Sequence, residues 1–197
     1  MVIYVLPFYI QKVLHYGPAI TGLILTVSPL LMMIIAPLSG VLGDRIGSRP
    51  LAFLGSIISA SAFYFMSTLT MFSSIYLVIG FLAILGIGTA IFQAPNNRAI
   101  MISIPDKSSG IASGVLVTFR NLGMIFAVSF ASLLISTTIN RTVLESQILY
   151  NLESYNFTLG LHLVALLGIF LSILMALLSV WGSRRLKQVK PIIKRNI

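Results

Sequence analysis

From Pro50 to Asn97 the chain reads PLAFLGSIISASAFYFMSTLTMFSSIYLVIGFLAILGIGTAIFQAPNN, 48 residues without an Asp, Glu, Lys or Arg. A bilayer core of about 30 Å is crossed by roughly 20 helical residues, so this run predicts two membrane spans and the turn between them. Charge is absent again from Val13 to Gly43 (31 residues) and from Ser154 to Ser183 (30 residues). Over all 197 residues 57% are hydrophobic, 9% are charged and the mean hydropathy is +1.02. A water-soluble domain carries about 25% charged residues, so most of this surface must meet hydrocarbon. The apolar segments are apolar all round. A transmembrane barrel would instead alternate polar and apolar residues over about 10-residue strands.

Working outward gives a short apolar stretch at 1–11, incomplete as a span, then spans at about Ala19–Leu42, Leu51–Leu69, Ser74–Ala94, Ile111–Ile135 and Phe157–Trp181. One membrane domain is expected over 1–181 and a basic tail over 182–197. The connections are Lys12–Pro18, Gly43–Pro50, Thr70–Ser73, Pro95–Gly110 and Ser136–Asn156. Met1 is followed directly by apolar residues, with no basic start of the kind a cleavable leader carries.

The net charge is +9, and its placement points to a membrane surface rather than to nucleic acid. Six bases cluster at Arg184, Arg185, Lys187, Lys190, Lys194 and Arg195, where each gains about 1 kcal/mol beside anionic headgroups. Putting the Gly43–Pro50 loop, the Pro95–Gly110 connection and the tail on one side collects Arg45, Arg49, Arg98, Lys107 and those six. The other side keeps Lys12 and Arg141. The bias of bases toward the cytoplasm makes the first side the inner one and the tail cytoplasmic, in a multi-pass protein of the cell membrane. With no cysteine there is no disulfide framework and no thiolate chemistry. Two separated histidines, His15 and His162, make no metal site, and no nucleophile–base pair or cofactor motif suggests an enzyme.

Within Pro37–Pro50 the sequence P-L-S-G-V-L-G-D-R-I-G-S-R-P resembles the cytoplasmic signature loop of the major facilitator superfamily, roughly G-x-L-a-D-r-x-G-r-r/k. The matching residues are Gly40, Leu42, Asp44, Arg45, Gly47 and Arg49. Leu6–Gln11 (LPFYIQ), Pro18–Leu23 (PAITGL) and Gly110–Gly123 (GIASGVLVTFRNLG) are similar to the fourteen-span drug:proton antiporter branch of that superfamily. The resemblance implies an all-α membrane protein, a six-helix half of a superfamily bundle with its first helix truncated. Six helices with both ends inside match one half of a carrier built from inverted three-helix units. It also implies a small-molecule substrate, alternating access, proton-coupled efflux of amphipathic or drug-like molecules, and a partner in the missing amino-terminal half or a second copy. Uptake of a metabolite by a carrier of the same superfamily, or a non-transporting membrane scaffold or remnant, are the other readings. The family's glycine- and proline-rich antiporter signature, which belongs to the other half, is not in this chain.

In such a family the loop latches one half against the other on the cytoplasmic side. The residues suit this role independently of the name. Gly40, Gly43 and Gly47 allow tight turns and close helix approach. Asp44, one of four acids, can accept hydrogen bonds from the amino end of another helix. The alternative is a loop that only sets topology, its charges paired locally with Arg45 and Arg49.

Among the spans only Arg120 carries a charge, about nine residues and roughly 14 Å into its helix. A charge there costs at least about 2.5–3.5 kcal/mol unless it faces protein or a wet cavity. Either it snorkels inward to carbonyls and headgroups, or it is a cavity cation that attracts an anionic substrate or pairs with an acid. Gln93, Asn96, Asn97 and Asn121 are the next polar groups at depth, around Pro95, where a kink follows if the helix runs on toward Ile104. Arg120, Asn121, Gln93 and Asn96 are therefore the candidate substrate-cavity residues. Asp44, Asp106, Glu145 and Glu153 all fall in loops or at edges, which puts any proton-coupling carboxylate outside this chain. Gly80, Gly86, Gly88 and the Gly110–Gly114 pair read as close-packing surfaces.

Overall fold

The computed structural model describes residues 1–102, 109–138 and 151–193, and every described regular element is a helix. α1 is Val2–Phe8, which widens into a π-helical turn at Tyr9–Val13. α2 is Pro18–Leu25 and α3 is Val27–Ile46; α4 is Ser48–Met66, α5 is Ile75–Ile102, α6 is Ser109–Ser136 and α7 is Asn151–Ile193. By length and composition five stretches are long and apolar enough to cross a membrane, with α2 and α3 together forming the first of them. This is the all-helical partial bundle that the charge-free runs imply.

The local breaks have sequence causes. Pro29 has no N–H to give Leu25, so the ladder is interrupted at Thr26. Thr26 keeps helical angles, and its hydroxyl caps the Leu23 carbonyl at 2.6 Å. α3 runs four residues past the expected span and stops at Gly47, whose φ of +91° is closed to most L side chains. α4 starts at the next residue, so the expected Gly43–Pro50 loop contracts to a one-residue corner. α5 continues through Pro95 to Ile102, beyond the expected end at Ala94.

We call the end of the bundle that carries Gly47 the basic end, after Arg45, Arg49 and Arg98. α5 lies between α3 and α4, and α4 also packs on α7. The α4–α5 seam is set by two glycines. A Cβ placed on Gly55 would stand 2.5 Å from the Phe92 nitrogen and 2.7 Å from the Gly88 oxygen, and one on Gly88 would stand 2.7 Å from the Ser59 nitrogen. Only hydrogen lets these backbones meet so closely. Gly86 lies against the Ser28 backbone, so α5 approaches α3 in the same way. Gly110 and Gly114, expected as a packing surface, have nothing within 4 Å of an added Cβ among the described residues.

The buried core sits at the far end from Gly47. Val5 and Leu6 of α1 and Tyr9 and Ile10 of the π-helical turn meet Ala62, Met66 and Leu69, the first turns of α5 (Val78, Phe81, Leu82), Ala131 and Ile135 of α6, and Phe157, Leu161 and Val164 of α7. Two polar side chains tie this end. Tyr9 donates its hydroxyl to the Thr70 carbonyl at 2.5 Å, and His162 Nε2 lies 2.7 Å from the Leu69 carbonyl. Both carbonyls lie past the carboxy end of α4, beyond its helical ladder, and the Thr70 carbonyl also accepts the Ser73 N–H at 3.2 Å.

Candidate functional site

At the basic end Gly43 of α3 rests against Pro95 of α5, where an added Cβ would stand 2.9 Å from the proline Cβ. That contact brings the basic-end turns of the two helices together. One residue beyond Gly43, the Asp44 carboxylate accepts a hydrogen bond from Arg98 Nη1 at 2.6 Å. Arg98 was expected in a connection rather than as a partner for Asp44, and Arg45 and Arg49 were the bases expected beside the acid. The extension of α5 past Pro95 is what carries Arg98 to the signature loop. The ordering of charges by side already placed Arg98 with Asp44, which was the available signal. Both side chains are about half exposed, 42% and 53%, so the pair contributes about 0–1 kcal/mol. Its value is in fixing the register of α3 on α5.

Of the remaining loop residues, Gly47 makes the corner, Gly40 has nothing within 4 Å of an added Cβ, and Arg45 is exposed. The Arg49 backbone carbonyl accepts the Ser179 hydroxyl of α7 at 3.1 Å. The loop is thus held by α5 and α7, both within this chain.

Deeper, Arg120 lies eleven residues from the start of α6, about 16 Å along its axis. Its Nη2 donates to the Asn97 Oδ1 at 3.2 Å. Asn97 directly precedes Arg98, so two neighbouring residues of α5 hold the mid-span cation and, through the ion pair, the loop acid. The other candidates are not gathered there. Gln93 and Asn96 are half-buried on α5, Asn121 is exposed one residue along α6, and no hydrogen bond joins them to Arg120 among the described residues. Asp106, Lys107, Arg141, Glu145, Lys194 and Arg195 lie outside the described residues. Among the described residues no group of three or more His, Cys, Asp or Glu could hold a metal ion.

The least buried spans are Pro18–Ile46 and α6, with 11% and 0% of their most apolar stretches buried, against 28–39% for the others. α6 touches its neighbours chiefly through Ala131 and Ile135 at the core end. The apolar sides of these two spans are the least covered surfaces of the bundle, and Arg120 lies on the second of them.

The family model described as Major Facilitator Superfamily matches residues 1–190. Among curated proteins, the chain is 33% identical over 129 residues to the riboflavin transporter RibZ of Clostridioides difficile, covering 66% of this chain and 28% of that protein. It is 37% identical over 131 residues to the uncharacterized transporter YebQ of Escherichia coli, covering 66% and 29%. It is 25% identical over 123 residues to the multidrug transporter protein MdtP of Bacillus subtilis, covering 62% and 23%. The matched part spans less than a third of the length of each of these relatives.

Proposed function

The chain belongs to the major facilitator superfamily, and from that premise we propose that it forms the carboxy-terminal half of a secondary carrier of the fourteen-span drug:proton antiporter branch. That carrier exports small amphipathic or drug-like molecules in exchange for protons by alternating access. The observation that carries this reading is the sparse cover of Pro18–Ile46 and α6, with a guanidinium set on the second at membrane depth. An apolar helix buried in its own bundle only at Ala131 and Ile135 fits an interface along the rest of its length, and a charge on it fits a wet passage rather than lipid. The partner that covers these surfaces is the missing amino-terminal half or a second copy of the chain. The likeness to a multidrug transporter supports drug-like cargo.

In this reading the Gly40–Arg49 loop is the cytoplasmic latch, and the Asp44–Arg98 bridge sets its acid in place for the opposing half. The protein lies in the cell membrane with the basic tail in the cytoplasm, as the distribution of bases favours. Carriage of a metabolite, the second reading, is favoured by the 33% identity to a riboflavin transporter.

The test is the full-length reading frame reconstituted in liposomes with an imposed pH gradient, assayed with ethidium as a drug-like cation and with riboflavin. Ethidium movement driven by the gradient supports the leading reading. Riboflavin movement alone replaces it with the second. Movement of neither, by protein shown to be folded, sinks the transport assignment for these classes.

A further inference from the structure

We infer that the seam between α5 and the basic-end half of α6 is an anion subsite, in which Arg120 and Asn97 grip a carboxylate, or a like planar oxyanion, of the transported molecule. The inference rests on the carrier reading above and names the chemistry of its cargo.

The direction of Arg120 is the first ground. At 3.6 residues per turn, Arg120, Met124, Ala127, Ala131 and Ile135 form one stripe of α6. Along it, burial falls steadily: Ile135 and Ala131 are buried in the core, Ala127 is half-buried, and Met124 and Arg120 are exposed. The stripe thus leaves the core and is most open at Met124 and Arg120, with Ser113 half-buried again two turns further on. Arg120 stands where the seam has opened, turned toward α5, as its hydrogen bond to Asn97 requires. The exposed Phe119, Phe126 and Phe130 lie about 100° round the helix and are the side suited to hydrocarbon. A guanidinium seeking headgroup phosphates would not need to face α5.

The second ground is the count of donors. A guanidinium offers five N–H groups in a planar fork, and Arg120 commits one to a neutral amide oxygen. Arg98, at the bundle's edge, has a carboxylate; Arg120, at depth, has none among the described residues. With Asn97 Oδ1 accepting from Arg120, the amide nitrogen of Asn97 remains a donor. The seam therefore presents the fork edge of a cation beside an amide N–H. Two parallel N–H groups match the two oxygens of a carboxylate, and a low-dielectric wall strengthens the match. The same carboxylate could instead come from an acid elsewhere in the carrier, and the experiment separates the two sources.

The full-length carrier in nanodiscs is labelled with a maleimide at Ser113→Cys, a half-buried position two turns below Arg120 on its own stripe. Salicylate and salicylamide, alike in shape and differing in charge, are the protecting probes. Salicylate is expected to slow labelling at a concentration lower by on the order of tenfold to a hundredfold, the range for hydrogen bonds to a charged group. Arg120→Gln should erase the difference, and Arg120→Lys, which keeps the charge and loses the fork, should retain part of it. Equal protection by acid and amide, no protection by either, or a preference surviving Arg120→Gln overturns the inference. If Arg120→Gln destabilises the carrier while Arg120→Lys does not, and salicylate never protects, the carboxylate belongs to the protein and the cargo assignment is wrong. Because this readout needs no transport, a carrier that moves ethidium without distinguishing the probes sinks this inference alone. One that binds salicylate but transports nothing sinks the transport reading instead.

Discussion

Gly55→Ala should weaken this bundle by more than a methyl group normally can. The added Cβ would stand 2.5 Å from the Phe92 nitrogen, 2.7 Å from the Gly88 oxygen and 2.9 Å from the Phe92 Cα. All three are backbone atoms, so no rotamer change relieves the clash. Restoring the 3.4 Å of an ordinary contact means moving α4 from α5 by about 0.9 Å, a gap that forfeits a quarter to a half of each dispersion contact along the seam. Lipid tails are as apolar as the side chains, so packing of this kind, and not expulsion of water, holds the helices together. An overpacking cost of about 2–3 kcal/mol follows. Gly88→Ala meets the same seam from the other side, 2.7 Å from the Ser59 nitrogen. Once either methyl has widened the gap, the other fits at lower cost, so the double variant should fall short of the sum by about 1 kcal/mol or more. The chain has no cysteine, so Ser172→Cys, a near-isosteric change at a buried site on α7, can report unfolding of this part by thiol exposure on titration with denaturing detergent. Gly22→Ala, with nothing within 4 Å, is the control. If Gly55→Ala unfolds with Gly22→Ala, or if the two seam variants add fully, the close approach is not what holds α4 on α5.

Asp44→Asn should cost at most about 1 kcal/mol of stability, because its ion pair is half exposed, yet shift the inward/outward balance of the full carrier. Cysteine labelling from each side of the membrane checks it, and unchanged accessibility with unchanged transport removes the latch. Gly47→Ala should destabilise by about 1–3 kcal/mol, since φ there is +91° and the corner has no second residue to share the strain; the same thiol readout measures it. Tyr9→Phe removes the 2.5 Å donor to the Thr70 carbonyl, which keeps the Ser73 N–H at 3.2 Å, and should cost about 0.5–1.5 kcal/mol. It should also raise labelling of a cysteine at Ser74, and a silent variant would mean the core alone seals that end.

The charge-free runs were enough to reveal the fold, because hydrocarbon imposes a length and a composition that any helix crossing it must meet. Helix ends were less legible. The span expected to end at Ala94, with a kink at Pro95 if the helix ran on, continues through that proline to Ile102, and Gly43 packs on it. Tertiary contact overrode a local breaker. The same extension explains why Arg98 was missed as the partner of Asp44, a contact 54 residues apart in sequence. Gly110–Gly114 carried the right spacing for packing and no neighbour among the described residues, whereas Gly55, which lacked a motif, makes one of the tightest contacts in the bundle. Arg120 was legible as an anomaly, since a lone charge in 28 helical residues stands out. Its contact with Asn97, rather than with Gln93, Asn96 or Asn121, needed the facing of α5 on α6.

The uneven burial of the bundle has a mechanical consequence. At one end Tyr9, Phe81 and Phe157 are fully buried among five elements, and unpacking them would forfeit dispersion contacts along every seam at once. At the other end α3, α5 and α6 are joined by the Gly43–Pro95 contact and two polar ties, Asp44–Arg98 and Arg120–Asn97, and a third polar tie, Ser179 to the Arg49 carbonyl, joins α7 to α4. Each tie is worth about 1 kcal/mol, and each can be exchanged for water or for a ligand without exposing a core. Local opening draws on the least stable part of a structure. In this chain that part is the basic end, where the proposed latch and the proposed anion subsite both lie. A ligand anion that took Arg120 from Asn97 would remove one of the three ties, and Asn97 adjoins the arginine that holds Asp44. Binding at depth and release of the latch would then be linked through two consecutive residues of α5.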